Sequence, residues 1–362
     1  MKEFKLFTFL FCIILTQLSY AQVLLDADGS GGVDTYDLIN SVFAPGYDAV
    51  EEPDCSHTPT FQHIDELFDA TLGINVFRFY LHVATDTDRC NGSTDRQRNE
   101  IKTYDKSPDN LKGVEGETVI YKWKFKLDAG FQVSPNFTHI HQLKSVGGLY
   151  SSMPMYTLTC RKSTPDRIEL RYAETNSQTT LIQTDLAPFK GEWVEATETI
   201  KYGTNSSPDA GTYSIELKRV SDQSILLTYT DNATKNWQID AEFVRPKWGI
   251  YRSLNNAQDL RDEEVLFANF SVEESSTLNI EEINRHGIIL YPNPTSDDLF
   301  IKNLDKIEFD NIAIHDITGK QVLKQEALGN SIIVTSKLKS GIYFINFNNN
   351  NLPTFTSKFV KN

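Results

Sequence analysis

Three short stretches carry side chains suited to acid–base work on an anionic polymer. In Arg96-Gln-Arg-Asn-Glu-Ile-Lys, the two-residue period of a strand aligns Arg96, Arg98, Glu100 and Lys102 on one face. In His139-Ile-His-Gln-Leu-Lys it aligns His139 with His141, and Gln142 with Lys144. In Arg245-Pro-Lys-Trp-Gly-Ile-Tyr-Arg it aligns Arg245, Lys247, Gly249 and Tyr251, with Arg252 following. A fourth stretch, Tyr121-Lys-Trp-Lys-Phe-Lys-Leu, puts Lys122, Lys124 and Lys126 on one face and Tyr121, Trp123, Phe125 and Leu127 on the other. If these strands are neighbours, their polar faces form a cationic trough, which suits a polyanion.

Such a set supports β-elimination at a uronic acid. A donor must neutralise the carboxylate so that the C5 proton becomes acidic. A base takes that proton, and an acid protonates the leaving O4. Arg, Gln, Asn or His supplies the first, Lys, His or Tyr the second, and Tyr the third. A free lysine titrates near 10.4, so a lysine base needs its pKa lowered, and clustered Arg and Lys push in that direction.

The elements that must position these groups are strands. Runs such as Val119–Leu127, Thr138–Ser145, Ile168–Tyr172, Tyr213–Arg219 and Leu226–Tyr229 alternate polar and apolar residues, and turn clusters separate them. The pattern argues for an all-β sandwich or jelly roll across residues 22–278. Helices are expected only near Thr35–Val42 and Ile64–Leu72.

The ends read differently. Lys2 and Lys5, an apolar run from Leu6 to Leu18 and Ser19-Tyr20-Ala21 have the layout of a signal peptide over residues 1–21. No later stretch is apolar enough to span a membrane. The expected product is an exported, soluble protein that acts as a monomer. From residue 283 to 362, short alternating strands form a further small β-sandwich.

The 362 residues carry a net charge of −14, which argues against binding nucleic acid or an anionic membrane. The charge is uneven. Residues 22–88 hold 13 acids against one base, Arg78, whereas residues 89–278 hold 26 acids against 23 bases. The whole-chain acidity therefore says nothing against an anionic substrate for the β core.

Beyond the leader, the cysteines are Cys55, Cys90 and Cys160. An odd count in an exported protein suggests one disulfide and one free or buried thiol. Cys55 and Cys90 are the expected pair, because both flank Asp-rich loop sequence while Cys160 ends the apolar stretch Met155–Thr159. There is no Cys-x-x-Cys and no Cys/His metal spacing, so a zinc site is not expected. Asp26-Ala-Asp-Gly-Ser-Gly-Gly-Val-Asp-Thr-Tyr-Asp37 does place Asp26, Asp28, Ser30, Asp34 and Asp37 at positions 1, 3, 5, 9 and 12 of an EF-hand-like calcium loop. It lacks the usual Glu at 12, a preceding helix and a second copy. The alternative is an acidic, glycine-rich loop. Any calcium here would be structural, and the chemistry itself requires no cofactor.

Two resemblances add to this reading. Arg98-Asn-Glu-Ile, Gln142-Leu-Lys and Lys247-Trp-Gly-Ile-Tyr251 resemble the three strand motifs of β-jelly-roll polysaccharide lyases, which in the alginate lyases read Arg-x-Glu-Leu, Gln-Ile-His and Lys-x-Gly-x-Tyr. This chain departs at the second, where Lys144 stands in place of the histidine. Aligning His139-Ile-His141 instead keeps a histidine. Over residues 50–275 the chain is most similar to the ulvan lyases of polysaccharide lyase family 28. The resemblance implies a jelly roll with a concave cleft and an endo-acting lyase on ulvan, a sulfated polymer of rhamnose and uronic acid. It implies Tyr251 as acid, Lys144 as base, and Arg98, Gln142 or His141 as carboxylate neutraliser. Lys124, Lys126, His139, Glu100, Arg245, Lys247 and Arg252 would bind sulfate or uronate, with Lys126 a second candidate base.

At the other end, Leu290-Tyr-Pro-Asn-Pro-Thr-Ser, Ile314-His-Asp-Ile-Thr-Gly-Lys and Leu338-Lys-Ser-Gly-Ile-Tyr-Phe resemble the type A sorting domain of the type IX secretion system. That implies export through this machinery to the medium or the cell surface. The readings left open are a lyase on alginate, glucuronan or a heparin-like glycan, and a non-catalytic carbohydrate-binding jelly roll.

Overall fold

A computed structural model of the chain describes residues 22–204, 210–275, 288–303, 309–326, 332–349 and 352–362. The expected leader, residues 1–21, lies outside them. The chain divides into two units, Met1–Ser275 and Ser276–Asn362.

In the first unit the alternating runs become strands β1 (Gln22–Leu25), β2 (Val50–Glu51), β3 (Ile64–Asp69), β4 (Ile74–Leu81), β5 (Arg96–Lys102), β6 (Thr118–Leu127), β7 (Thr138–Val146), β8 (Tyr156–Arg161), β9 (Arg167–Tyr172), β10 (Thr179–Asp185), β11 (Trp193–Lys201), β12 (Gly211–Arg219), β13 (Ile225–Thr234), β14 (Phe243–Ser253) and β15 (Glu263–Ser275). They form two antiparallel sheets. One runs β13-β12-β11-β6-β15-β4-β3, with β1 paired to β15, and the other runs β10-β9-β8-β7-β14-β5-β2. The crossovers that interleave distant strands make a jelly-roll sandwich. The inward residues of both sheets share one core. Tyr121, Trp123, Phe267 and Phe270 from the first meet Ile101, Leu143, Leu158, Trp248 and Ile250 from the second, and the Trp248 ring lies 5.2 Å from Phe270 and 6.0 Å from Trp123.

One of the two expected helices is present. Helix α1 (Thr35–Phe43) is capped by Asp34, whose carboxylate accepts from the backbone of Tyr36 and Asp37, and it buries Ile39 and Phe43. The other expectation fails, because Ile64–Asp69 is strand β3, paired with β4 from Ile64↔Phe79 to Asp69↔Ile74. Gly73, with φ +70°, closes the turn in a conformation that suits glycine. Asp65 binds Arg78 across the pair through bonds of 2.9 and 2.8 Å. The hairpin contacts outweigh the local helical pattern.

Cys55 and Cys90 form a disulfide, with Cα atoms 6.1 Å apart, and Cys160 is a free thiol buried in the core. Both outcomes match the sequence expectation.

The second unit holds β16 (Ile288–Tyr291), β17 (Asp298–Asn303), β18 (Asn311–Asp316), β19 (Gln321–Glu326), β20 (Ile332–Val334), β21 (Gly341–Asn349) and β22 (Leu352–Lys361). They make a three-stranded sheet, β16-β17-β20, and a four-stranded sheet, β19-β18-β21-β22, around a separate core of Leu299, Ile314, Ile333, Ile345, Phe347 and Phe359.

Candidate active site

Strands β7, β14 and β5 are neighbours in one sheet, so the three motifs meet. Their registers set two rows across the sheet face that points away from the core. In one row Tyr251 stands between Arg98 and His139, and His139 continues to Thr159 and Glu169. In the other, Lys247 stands between Lys102 and Gln142, and Gln142 continues to Thr157 and Arg171. Arg245 and Lys144 face each other one step further on.

Irregularities decide which side chains reach this face. The β7–β8 register shifts between His139 and His141. That shift keeps His139 with Gln142 and Lys144 on the outer face and turns His141 inward. On β14 the register with β7 shifts between Trp248 and Tyr251, where Gly249 has φ +143°. A Cβ there would sit 2.1 Å from the Asn99 carbonyl oxygen. Only glycine passes β5 this closely, which is the physical reason for the Lys-x-Gly-x-Tyr spacing. Gly249→Ala is expected to cost roughly 1–3 kcal/mol in strain alone. That would lower Tm by several degrees in thermal unfolding followed by circular dichroism, and an unchanged Tm would refute the role.

The Tyr251 hydroxyl oxygen accepts from Arg96 Nη1 at 3.0 Å, so its own proton is free to point elsewhere. The Arg98 guanidinium lies over the Tyr251 ring, 3.8 Å from its centre. Phe137 stacks on His139 at 4.8 Å and 15° and lies 5.0 Å from the Tyr251 ring. His139 Nδ1 pairs with Thr159 Oγ1 at 2.8 Å, and Thr159 in turn pairs with Thr157. Burial and then the positive Arg161, Arg171, Arg98 and Lys247 hold the His139 pKa well below its ordinary value. It is therefore neutral at physiological pH.

Behind the Lys247 row lies a buried ion cluster. Lys247 Nζ contacts Glu51, and Glu100 Oε2 at 2.7 Å. Arg98 binds Glu100 at 2.9 Å, Asp88 at 2.9 Å and Glu51 at 3.3 Å. Glu51 also takes Lys102 at 2.8 Å and Arg89 at 2.9 Å, and Gln142 donates its amide to Glu100. Burial alone would raise the Glu51 pKa, but Lys247, Arg98 and Lys102 outweigh it and hold the carboxyl well below the usual range. Lys144 and Arg245 are half-buried at the rim. Burial, then Lys247, Arg245 and Arg98, push the Lys144 pKa down to about 8.

Several assigned residues prove to be elsewhere. Lys144 lies five residues from His139 along β7, about 15 Å at the rise of a strand, and its Nζ turns to the Ser152 carbonyl. It does not adjoin Tyr251. His141 is buried between the sheets, bound to Glu198 at 2.9 Å and the Lys247 carbonyl at 3.0 Å, stacked on Trp248 and tilted against Trp123. Arg252 alternates inward from Tyr251 and binds Gln97, Arg261 and Leu81. Lys124 and Lys126 belong to β6, in the other sheet, where Lys124 pairs with Glu195 at 3.1 Å and Lys126 faces Asp69 at 3.9 Å. Strand period assigns a face but cannot say which sheet the strand joins.

The sequence reading missed Glu51 and Asp88, which neutralise the cluster, and Thr157, Thr159, Glu169 and Arg171, which extend the two rows. Their signal was the plain alternation of Thr157-Leu-Thr159 and Arg167-Ile-Glu-Leu-Arg171. In the acidic N-terminal loop, Asp26 binds Asn269, Asp28 accepts from the Val33 backbone, and Asp34 caps α1. Their oxygens serve the fold in separate places.

Residues 289–362 match the family described as secretion system C-terminal sorting domain. This type IX tail directs the protein to the cell surface or the medium. No helix among the described residues is long and apolar enough to cross a membrane. No curated protein matches the chain. Among solved structures, a fungal endo-β-1,4-glucuronan lyase from Trichoderma reesei is 16% identical, covering 63% of this chain and 91% of its own with a TM-score of 0.44. An alginate lyase from Aplysia kurodai is 14% identical, covering 69% and 97%, with a TM-score of 0.45. Another, from Pseudomonas aeruginosa, is 13% identical, covering 62% and 98%, with a TM-score of 0.42. The strands that carry the Arg98–Tyr251–His139 row lie within residues 76–271, which match the polysaccharide lyase family, and the chain belongs to that family.

Proposed function

We propose that the protein is an endo-acting lyase that cleaves ulvan beside its uronate by β-elimination, with Tyr251 and His139 as the proton-transfer pair. The observation that carries the reading is the cross-strand neighbourhood of Tyr251 and His139 on the outer face, their rings 5.8 Å apart. With Nδ1–H given to Thr159, neutral His139 keeps a lone pair on Nε2 for the C5 proton. Tyr251, its oxygen held by Arg96, returns a proton to the leaving O4. Arg96 and Arg98 lie where carboxylate charge grows as C5 loses its proton. The pair replaces Lys144 and Tyr251, because both groups must reach one sugar ring.

Lys144 and Arg245 then serve binding. They face each other, and neither makes an ion pair among the described residues, which suits the sulfate of a neighbouring sugar. Purified protein is expected to raise ultraviolet absorbance on ulvan as an unsaturated uronate forms, without added cofactor. Absorbance rising instead on alginate, glucuronan or a heparin-like glycan would move the substrate and keep the chemistry. Saturable binding with no absorbance change and no chain shortening would refute the lyase reading.

A further inference from the structure

Three of the seven histidines fall in the acidic segment before residue 89, and the fold gathers them around one carboxylate. One ligand atom from each of His57, His63, His82 and Asp86 lies within 4.8 Å of all the others. His57 Nε2 is 2.6 Å from Asp86 Oδ1, while His63 Nε2 and His82 Nδ1 are 3.0 and 3.2 Å from Asp86 Oδ2. The three imidazoles have centres 4.9 to 5.3 Å apart, with His82 edge to face with His57 and His63 and the latter two tilted. His63 and Asp86 are fully buried side chains.

The groups behind the cluster point to a cation within it. His63 Nδ1 meets Asp54 Oδ1 at 2.7 Å, and Asp54 is itself held by the Tyr36 hydroxyl at 3.0 Å and the His63 backbone N–H at 3.0 Å. A carboxylate behind an imidazole in this way fixes its tautomer and turns the other nitrogen's lone pair toward a metal. His63 Nε2 is correspondingly buried with no hydrogen-bond partner, facing a carboxylate oxygen at 3.0 Å. A lone pair opposed to an anionic oxygen at that distance needs a proton or a metal ion between them, and three further ligand atoms converging there favour the metal.

We propose that His57, His63, His82 and Asp86 hold one structural zinc ion. Three nitrogens and one oxygen suit zinc rather than calcium, which takes six to eight oxygens. Zinc bonds of 2.0–2.1 Å in a tetrahedron separate ligand atoms by about 3.4 Å, so the cluster closes with small side-chain shifts. All four positions are protein ligands, as in a structural site. The ion ties the turn after Asp54, the start of β3, the end of β4 and the loop before β5 together, beside the Cys55–Cys90 disulfide. Asp88, two residues beyond Asp86, holds Arg98 over Tyr251, so the ion braces the loop that supports the site. The absence of Cys/His spacing in the sequence did not exclude such a site, because its ligands come from two separate segments, His57 and His63 ahead of β3 and His82 and Asp86 after β4.

The test uses the full mature chain. Plasma mass spectrometry after dialysis is expected to find about one zinc per chain. Stripping with EDTA should lower Tm by several degrees, and added Zn²⁺ but not Ca²⁺ should restore it. Co²⁺ added to the stripped protein should give the intense visible bands of a four-coordinate site. His57→Ala and His82→Ala remove partly exposed ligands and should abolish stoichiometric zinc while circular dichroism still shows the β fold. The proposal is overturned if the protein holds no zinc and its Tm ignores both EDTA and Zn²⁺, which would leave a proton as the cation. Full zinc retention by both variants, or rescue by Ca²⁺ alone, would also overturn it.

Discussion

Tyr251→Phe is expected to lower kcat on ulvan by roughly 10²- to 10⁴-fold, the range for losing a positioned acid–base group. The substitution removes one oxygen and leaves the ring beneath Arg98 and beside Phe137, so Tm should move little. His139→Ala should cost a similar factor. Lys144→Met separates the two possible bases. It removes a cation at the rim, opposite Arg245, so KM should rise while kcat stays within a few fold. The pH profile gives an independent check. A base must be unprotonated to act, so a Lys144 base would make kcat/KM fall tenfold per unit below about 8. With His139 already neutral well below 6.5, the base should impose no limb between pH 6.5 and 8. A profile rising through pH 8, lost in Lys144→Met along with kcat, would return the base role to lysine.

The largest effect on stability is expected from Glu100→Ala. Glu100 is fully buried and accepts from Arg98, Lys247 and Gln142. Removing it leaves Arg98 and Lys247 with one carboxylate fewer in a buried cluster, and breaking one side of a buried ion cluster costs about 3–5 kcal/mol. In a domain of this size that is a fall in Tm on the order of 10 °C. Lys126→Ala, on the other sheet, should change stability by no more than about 0.5 kcal/mol. Equal Tm for the two variants would show that the cluster is solvated rather than buried. The same cluster sets a direction for acid stability. The Glu51 carboxyl is held below its unfolded value, so its contribution is complete above the unfolded carboxylate pKa near 4.3 and is lost as pH falls below it.

Much of the scaffold was legible in the chain. Alternation found the strands at Val119–Leu127, Thr138–Ser145 and Tyr213–Arg219, because a half-buried sheet imposes a period of two. The cysteine context found the disulfide. The outer row Arg96, Arg98, Glu100 and Lys102 and the row Arg245, Lys247 and Tyr251 held, since neither is broken on its own face. The pairing of His139 with His141 did not, because one irregularity in β7 reverses the face of all that follows it. Ile64–Asp69 was misread for a related reason. A short run of mixed pattern takes its structure from its partner strand, here β4.

What the sequence determined by itself is therefore local: an exported all-β lyase with a sorting tail, three cationic strand motifs and a tyrosine four residues beyond a lysine. Local periodicity and composition are enough for the strands and the leader, because they depend on neighbours along the chain, while the lyase and the sorting tail came from the resemblance of short motifs. The tertiary structure decided which strands share a sheet. It sent β6 and its lysines to the far side, moved Lys144 away from Tyr251 and set His139 beside Tyr251. It also drew His57 and His63 from one segment and His82 and Asp86 from another to one point. These are contacts between residues far apart in sequence, and only the hydrogen-bonded register of the folded sheets specifies them.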